Sequence, residues 1–130
     1  MKKKCPQSIE DIAARVLQSE TDFGTAFREF LDVFYHSRRK KYRLEREPEL
    51  LVGFLNDDGV ADAYLAAIAV TLCQKYRLTT PHWALSKSRV AKVPFFSMNL
   101  PESKSWLLTE SPPAFAERNL FISRDALSRV

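Results

Sequence analysis

The chain has 130 residues, of which 45% are hydrophobic and 28% charged, a composition that excludes an intrinsically disordered protein. Its length is that of one domain with one core. No apolar run approaches the roughly 18 residues of a membrane span, and the residues after Lys2–Lys4 are too polar for a signal peptide. We therefore expect one cytoplasmic domain over residues 1–130, in which residues 1–7 form a disordered basic tail.

Two amphipathic helices are predicted in the first third of the chain. Ser8 is followed by an acid at the third position, close to a capping box, and apolar residues then recur at helical spacing to Leu17. Thr21 or Asp22 begins the second helix, which runs to His36 with four phenylalanines on one face. We interpret this face as core rather than as a site for an aromatic ligand. Its apolar residues are Phe23, Ala26, Phe27, Phe30, Leu31 and Phe34.

The middle of the sequence predicts a short helix followed by a buried one. Pro48 suits the first turn of a helix over residues 49–55, which ends at the turn-forming run 56–59. Residues 60–78 are apolar on nearly all sides over most of their length, which is typical of a buried central helix. Asp62 is the polar exception, and we expect it to complement the positive end of this helix.

The last third of the chain combines short helical and irregular segments. Pro81 opens one short helix, and a proline pair follows Ser111, which we expect to cap another. The predicted helices are 81–88, 102–109, 112–117 and a last turn or two from Ser123, and residues 120–122 are predicted to be extended. Because the chain has only three glycines, tight hairpins are few. The sequence thus predicts a compact all-α domain of six to eight helices, with a buried central helix and an irregular C-terminal segment.

Groups with catalytic or metal-binding chemistry are few. The chain has two histidines, and a catalytic pair of His82 with Cys73 is conceivable. Cys73 lies in an apolar helix, where a thiol is usually inert, so we expect no catalytic residue. The acidic cluster 57–62 lacks the spacing of a calcium loop, and Cys5 belongs to no metal-binding pattern. We therefore expect a protein that is not an enzyme, without metal or cofactor, and with free cysteines.

The positive charge of the chain is concentrated in two patches, residues 36–46 and Lys2–Lys4. The net charge is +4, yet residues 36–46 contain six basic residues and one acid and Lys2–Lys4 add three more cations, so the remaining residues sum to about −4 and are mildly acidic. Six cations around Tyr42 suit contacts with phosphates and stacking of a base. We favour the alternative of a solvated loop, because no recognised nucleic-acid motif accompanies the cluster. The candidate nucleic-acid-binding residues are Arg38, Arg39, Lys40, Lys41, Arg43 and Arg46.

The stretch from Trp106 to Ile122 has a distinctive order of residues but no catalytic motif. Its prolines, its aromatic residues and the pair Arg118-Asn119 occur in an order that suits one fixed chain path. Arg118 would be an anion anchor in a functional interpretation. We favour the structural one, in which its guanidinium bonds backbone carbonyls or an acid such as Glu110. The predicted structural motif consists of Trp106, Phe115, Arg118 and Asn119.

Four elements of the sequence resemble a group of small bacterial proteins to which no activity is assigned. They are the stretches 62–67, 81–83, 94–96 and 107–122, of which the last is the most specific. Such sequences resemble those encoded in toxin–antitoxin-type or regulatory gene neighbourhoods. The resemblance implies a non-enzymatic protein-interaction module, antitoxin-like or regulatory, with an unidentified protein partner. A nucleic-acid-binding regulator that uses residues 38–46 is the alternative, and an enzyme with a site near His82 is the third possibility.

Overall fold

The computed structural model describes residues 6–96 and 111–122, and these residues are mainly helical. The four α-helices among them are α1 (Ile9–Leu17), α2 (Phe23–Tyr35), α3 (Val60–Lys75) and α4 (Pro113–Ala116). Short 3-10 turns lie at Tyr42–Leu44, His82–Leu85 and Lys87–Arg89. Two strands of two residues each, β1 (Phe95–Phe96) and β2 (Leu120–Phe121), pair in parallel with Phe95 opposite Leu120.

The first two helices begin at caps that the sequence predicts. The backbone N–H of Ser8 donates to the Asp11 carboxylate at 3.2 Å, as in a capping box. Asp22 rather than Thr21 caps α2, because its Oδ1 accepts from the backbone N–H of Thr25 at 2.7 Å. Each cap satisfies N–H groups that have no partner within the helix, so both helices start where local chemistry favours it.

The phenylalanine face of α2 lies in the core. Phe30 and Phe34 are fully buried and their ring centroids are 5.7 Å apart. Phe27 meets the ring of Tyr64 on α3 edge to face at 5.1 Å. The same face therefore packs α2 against the middle helix of the chain.

Helix α3 is the centre of the fold. Its residues from Ala61 to Cys73 are buried except Tyr64 and Thr71, so burial extends around the whole helix and not along one stripe. Alanines supply much of this surface, which lets α4 and the two later 3-10 turns pack closely against it. Tyr64 and Phe115 of α4 meet edge to face at 5.2 Å.

The predicted count of six to eight helices is wrong. The described residues contain four α-helices, of which only three exceed one turn, together with the parallel strand pair. In place of the helix predicted over 81–88, the chain forms two 3-10 turns, His82–Leu85 and Lys87–Arg89. The N-cap residue of α4 is Pro112 and not Ser111, whose hydroxyl bonds the backbone N–H and carbonyl of Ile122. The expected helix 102–109 and the turn from Ser123 lie outside the described residues, as does most of the predicted basic tail.

Residues 49–55 also form no helix, and the reason is a long-range contact. In a helix that starts at Glu49, the Pro48 carbonyl would accept from the backbone N–H of Val52. Instead, Val52 donates to the Asp62 carboxylate at 3.0 Å, and the Pro48 carbonyl accepts from the Arg89 guanidinium. Both helix-forming groups are therefore bound to side chains of distant segments.

Among the described helices, none combines the length and the apolar character that crossing a bilayer requires.

Candidate functional site

A pair of buried charges joins three distant segments of the chain. Asp62 of α3 and Arg89 are both fully buried, and Arg89 Nη1 lies 3.5 Å from Asp62 Oδ1. The guanidinium carbon of Arg89 lies 5.2 Å from the centroid of Trp83, a cation–π contact. Arg89 Nη2 also contacts the Glu47 carboxylate at 3.2 Å and the Pro48 carbonyl. Arg89 thus contacts two acids, an aromatic ring and a carbonyl at once.

The oxygens of Asp62 bind the backbone of a loop. Asp62 Oδ1 accepts from the N–H of Leu51 at 2.7 Å, and Oδ2 accepts from the N–H of Val52. The sequence predicts that Asp62 complements the positive end of α3, but its hydrogen bonds go to backbone N–H groups outside this helix. Asp57 has the capping role, because it accepts from the N–H groups of Gly59 and Ala61. Asp62 instead fixes the loop that precedes the helix.

The loop that Asp62 and Arg89 fix exposes apolar side chains. We call residues 48–55 the display loop. Leu50, Val52 and Phe54 are 42%, 39% and 49% exposed, whereas Leu51 between them is fully buried. Gly53 has φ +91°, a left-handed conformation that glycine adopts without strain. The loop thus has a buried anchor, two side-chain-bound N–H groups and three exposed apolar residues.

An open cleft begins where the display loop ends. Leu55, the last residue of the loop, lines a cavity of about 350 Å³, which we call the aromatic cleft. Its walls include Phe23 and Phe27 of α2, together with Tyr64 and Phe95, and Arg28 and Asp57 also contribute to its lining. This volume is within the range of ordinary ligand pockets.

The six cations of the basic segment fall into two groups. Arg38, Arg39, Lys40 and Lys41 line one open cavity of about 570 Å³, the basic cleft, together with Tyr42, Glu45, Tyr76 and Leu78. Arg43 is not part of it, because its Nε donates to the Ser37 hydroxyl at 2.6 Å and its Nη1 to the Gln7 carbonyl. Arg46 is exposed outside this lining. Four of the six predicted residues therefore share a site.

Aromatic rings hold Lys40 in the lining of the basic cleft. The Lys40 ammonium lies 4.9 Å from the centroid of Tyr76 and 5.7 Å from that of Phe34, and it donates to the Ser37 carbonyl at 2.6 Å. Lys40 is therefore anchored, whereas Arg38, Arg39 and Lys41 are exposed. Tyr42 is also 55% exposed, so an aromatic ring is accessible beside these cations.

The described residues of the C-terminal motif fasten the end of the fold to its middle. Arg118 donates to the carbonyls of Ala114 and Ala84, each at 2.8 Å. Burial lowers the pKa of Arg118, and the nearby Glu117 carboxylate opposes this effect. Asn119 has φ +63° and donates to the Ala91 carbonyl at 2.9 Å.

Phe115 is fully buried against Tyr64, and Trp106 lies outside the described residues.

Arg89 is a site residue that the sequence alone does not predict. An aspartate inside an apolar helix requires a partner, but nothing local selects Arg89 among the 20 lysines and arginines.

Cys73 and His82, the candidate catalytic residues, lie in different environments. Cys73 is buried, its Sγ lies 3.7 Å from the Thr79 carbonyl, and burial raises the pKa of its thiol. A nucleophilic cysteine needs the opposite shift. His82 is exposed and lines neither cleft. Within residues 6–96 and 111–122, no group of three or more histidine, cysteine or carboxylate side chains could hold a metal ion.

Comparison of the chain with family models, with curated proteins and with solved structures found no match. The resemblance to small bacterial proteins of toxin–antitoxin-type neighbourhoods therefore stays a prediction.

Proposed function

We propose that the protein is a non-enzymatic protein-interaction module that docks on a partner protein through the display loop. The observation that carries this proposal is the buried Asp62–Arg89 pair, which is bound to the backbone of a loop with three exposed apolar side chains. An antitoxin-like or regulatory role in a bacterial cytoplasm belongs to the same proposal and rests on the sequence resemblance.

Burying the Asp62–Arg89 pair costs desolvation free energy that an apolar core would not require. Removing two charges from water costs several kcal/mol per ion, and well-packed apolar residues often stabilise a core as well or better. Here the hydrogen bonds of the pair go to the backbone of Pro48, Leu51 and Val52 and to the Glu47 carboxylate, while Arg89 Nε and Nη1 are buried without a hydrogen-bond partner among the described residues. The arrangement therefore favours one loop conformation. A loop that is already ordered loses less conformational entropy when it binds.

The exposed side chains of the loop supply a binding surface. A single exposed apolar residue is normal on any protein, but Leu50, Val52 and Phe54 lie within five residues of each other. The adjacent aromatic cleft offers a pocket for an apolar anchor of the partner, and such anchors dominate the binding energy of many interfaces. Arg28 and Asp57 at this cleft can form polar contacts around the anchor.

The test is isolation of the native complex, followed by a loop variant and a matched control. The full-length tagged chain is cross-linked in its source cell, and the partner is identified and purified. We expect the triple variant L50S/V52S/F54S to bind this partner at least about tenfold more weakly, which corresponds to about 1.4 kcal/mol. The control L85S/V93S also removes exposed apolar side chains, at residues 63% and 50% exposed, and should leave binding intact. Equal affinity of the triple variant and the parent chain contradicts the proposal.

Gly53→Ala separates the shape of the loop from its composition. A Cβ at Gly53 would meet no atom within 4 Å, so the substitution introduces no clash. Its only direct effect is strain at a φ of +91°. If loop order drives docking, this variant should bind the partner more weakly although all three apolar side chains remain. Unchanged affinity would mean that loop conformation contributes nothing.

A further inference from the structure

The cations of the basic cleft lie on a segment with a defined internal structure. The Ser37 hydroxyl accepts from the backbone N–H of Arg39 at 3.1 Å and from Arg43 Nε at 2.6 Å. Lys40 donates to the Ser37 carbonyl and lies over the Tyr76 ring. These contacts fold residues 37–43 around one serine. A loop that only raised solubility would not need them.

This folding brings like charges together on a body that is otherwise mildly acidic. Arg38, Arg39 and Lys41 are exposed and line the same cavity, and within the described part of the chain none of the three forms a salt bridge. Like charges that share a concave surface repel each other and focus a positive potential outward. An anionic ligand with several charges would relieve this repulsion.

The other lining residues indicate which anion fits. The ring of Tyr42 is 55% exposed and Tyr76 forms part of the cleft wall, so flat aromatic faces lie next to the cations. Phosphates alternating with stackable bases match this combination. Glu45 also lines the cleft, and its carboxylate repels a phosphate but accepts hydrogen bonds from a base amine or a sugar hydroxyl. The lining thus contains cations that can bind phosphates together with groups that can contact bases.

The geometry favours a single strand over a duplex. Proteins that read a duplex commonly insert a helix or a pair of strands into a groove. The cations here lie on an irregular segment next to the three-residue 3-10 turn Tyr42–Leu44. An unpaired strand can instead expose its bases to aromatic rings inside a cleft.

We propose that the basic cleft binds single-stranded nucleic acid, with Arg38, Arg39 and Lys41 on its phosphates and Tyr42 stacked on a base. This function goes beyond protein docking and uses no residue of the display loop.

The test is fluorescence anisotropy of labelled 12-nucleotide single strands of RNA and DNA, titrated with the full chain at several salt concentrations. Three phosphate contacts predict a slope of log affinity against log salt near −2, at about −0.7 per contact on a single strand. R38A/R39A should lower the affinity at least tenfold and reduce the slope to about −0.7. Tyr42→Leu should weaken binding by about tenfold at an unchanged slope, since stacking contributes about 1–3 kcal/mol per base.

The matched control is K87A/K92A, which removes the same charge from two exposed lysines outside the basic cleft. It should bind like the parent chain, and so should the display-loop variant L50S/V52S/F54S. Absence of binding at 50 mM salt overturns the proposal, as does an equal loss in the control. Equally tight binding of a duplex, or of inorganic polyphosphate with no effect of Tyr42→Leu, would instead identify a general polyanion surface. None of these outcomes bears on docking through the display loop, which is tested by the binding of the partner protein.

Discussion

Replacing Asp62 by asparagine keeps the shape of the side chain but removes the charge that faces Arg89. The Asp62 carboxylate is fully buried and accepts from the N–H groups of Leu51 and Val52 at 2.7 and 3.0 Å. An amide has one acceptor oxygen and one donor group, so at least one of these N–H groups faces a donor in the variant. The loss of one buried hydrogen bond to a charged group costs about 1.5–3 kcal/mol.

The same substitution breaks the pair with Arg89, and the cost of breaking such a pair already includes the lost hydrogen bonds. Breaking a buried ion pair by removing one partner costs about 3–5 kcal/mol, because the other charge stays in the core. Arg89 keeps its contacts with the Glu47 carboxylate and the Pro48 carbonyl, which partly compensate its charge. We therefore expect the free energy of unfolding of Asp62→Asn to fall by about 3 kcal/mol, the lower end of this range.

Urea unfolding, followed by tryptophan fluorescence, measures this loss. With an m-value of about 1–3 kcal/mol/M, the midpoint should fall by about 1–3 M at an unchanged slope. Asp58→Asn is the matched control, because Asp58 is exposed and its φ of +57° also suits asparagine. It should stay within about 0.5 kcal/mol of the parent chain. Hydrogen exchange at Leu51 and Val52 should accelerate in Asp62→Asn alone.

The double variant D62N/R89M provides the decisive comparison. If the two side chains interact as a pair, the double variant loses less stability than the sum of the single losses, by about 0.5–3 kcal/mol. An Asp62→Asn chain as stable as the parent, with unchanged exchange in the display loop, would refute the reasoning. The loop would then be ordered by something other than the pair.

Three further predictions concern the core, the C-terminal motif and the buried thiol. Phe30→Ala should cost about 3–5 kcal/mol because the ring is fully buried, and a thermal melt close to that of the parent would place it outside the core. Arg118→Lys keeps the charge but cannot reach both the Ala114 and Ala84 carbonyls with a planar fork, so urea unfolding should detect a loss of about 1–3 kcal/mol. In a Cys5→Ser background, Cys73 should react with a thiol reagent at pH 8 more slowly in the folded chain than in urea, since burial raises its pKa and lowers the thiolate fraction. Equal rates would show that the thiol is accessible.

The features that sequence reasoning predicts here are those encoded locally. The capping groups of Ser8 and Asp22 lie within three residues of the N–H groups they satisfy, and the phenylalanine stripe has the helical period of α2 itself. The helix expected at 49–55 fails for the opposite reason. Its backbone is bound by Asp62 and Arg89, the latter some forty residues away, and no local pattern contains that information.

The candidate sites also combine features that are encoded locally with features that depend on distant residues. The cations of residues 38–41 are visible in the sequence as a charge run, but the Tyr76 ring that lines the basic cleft with them comes from the end of α3. The apolar residues of the display loop match a short amphipathic helix equally well when only their spacing is known. Only the tertiary contacts separate the exposed Leu50 from the buried Leu51.

The segment 111–122 has a consequence for how the chain folds during its synthesis. Phe115 and Leu120 are fully buried, and the Arg118 carbonyl accepts from the backbone N–H of Ala91. The side of α3 that faces α4 therefore lacks its cover on a ribosome until residue 122 has emerged. Nascent chains with uncovered apolar surface are prone to aggregate and are substrates for chaperones. A ribosome that stalls before Ser111 would consequently expose a chain whose central helix is still open on one side.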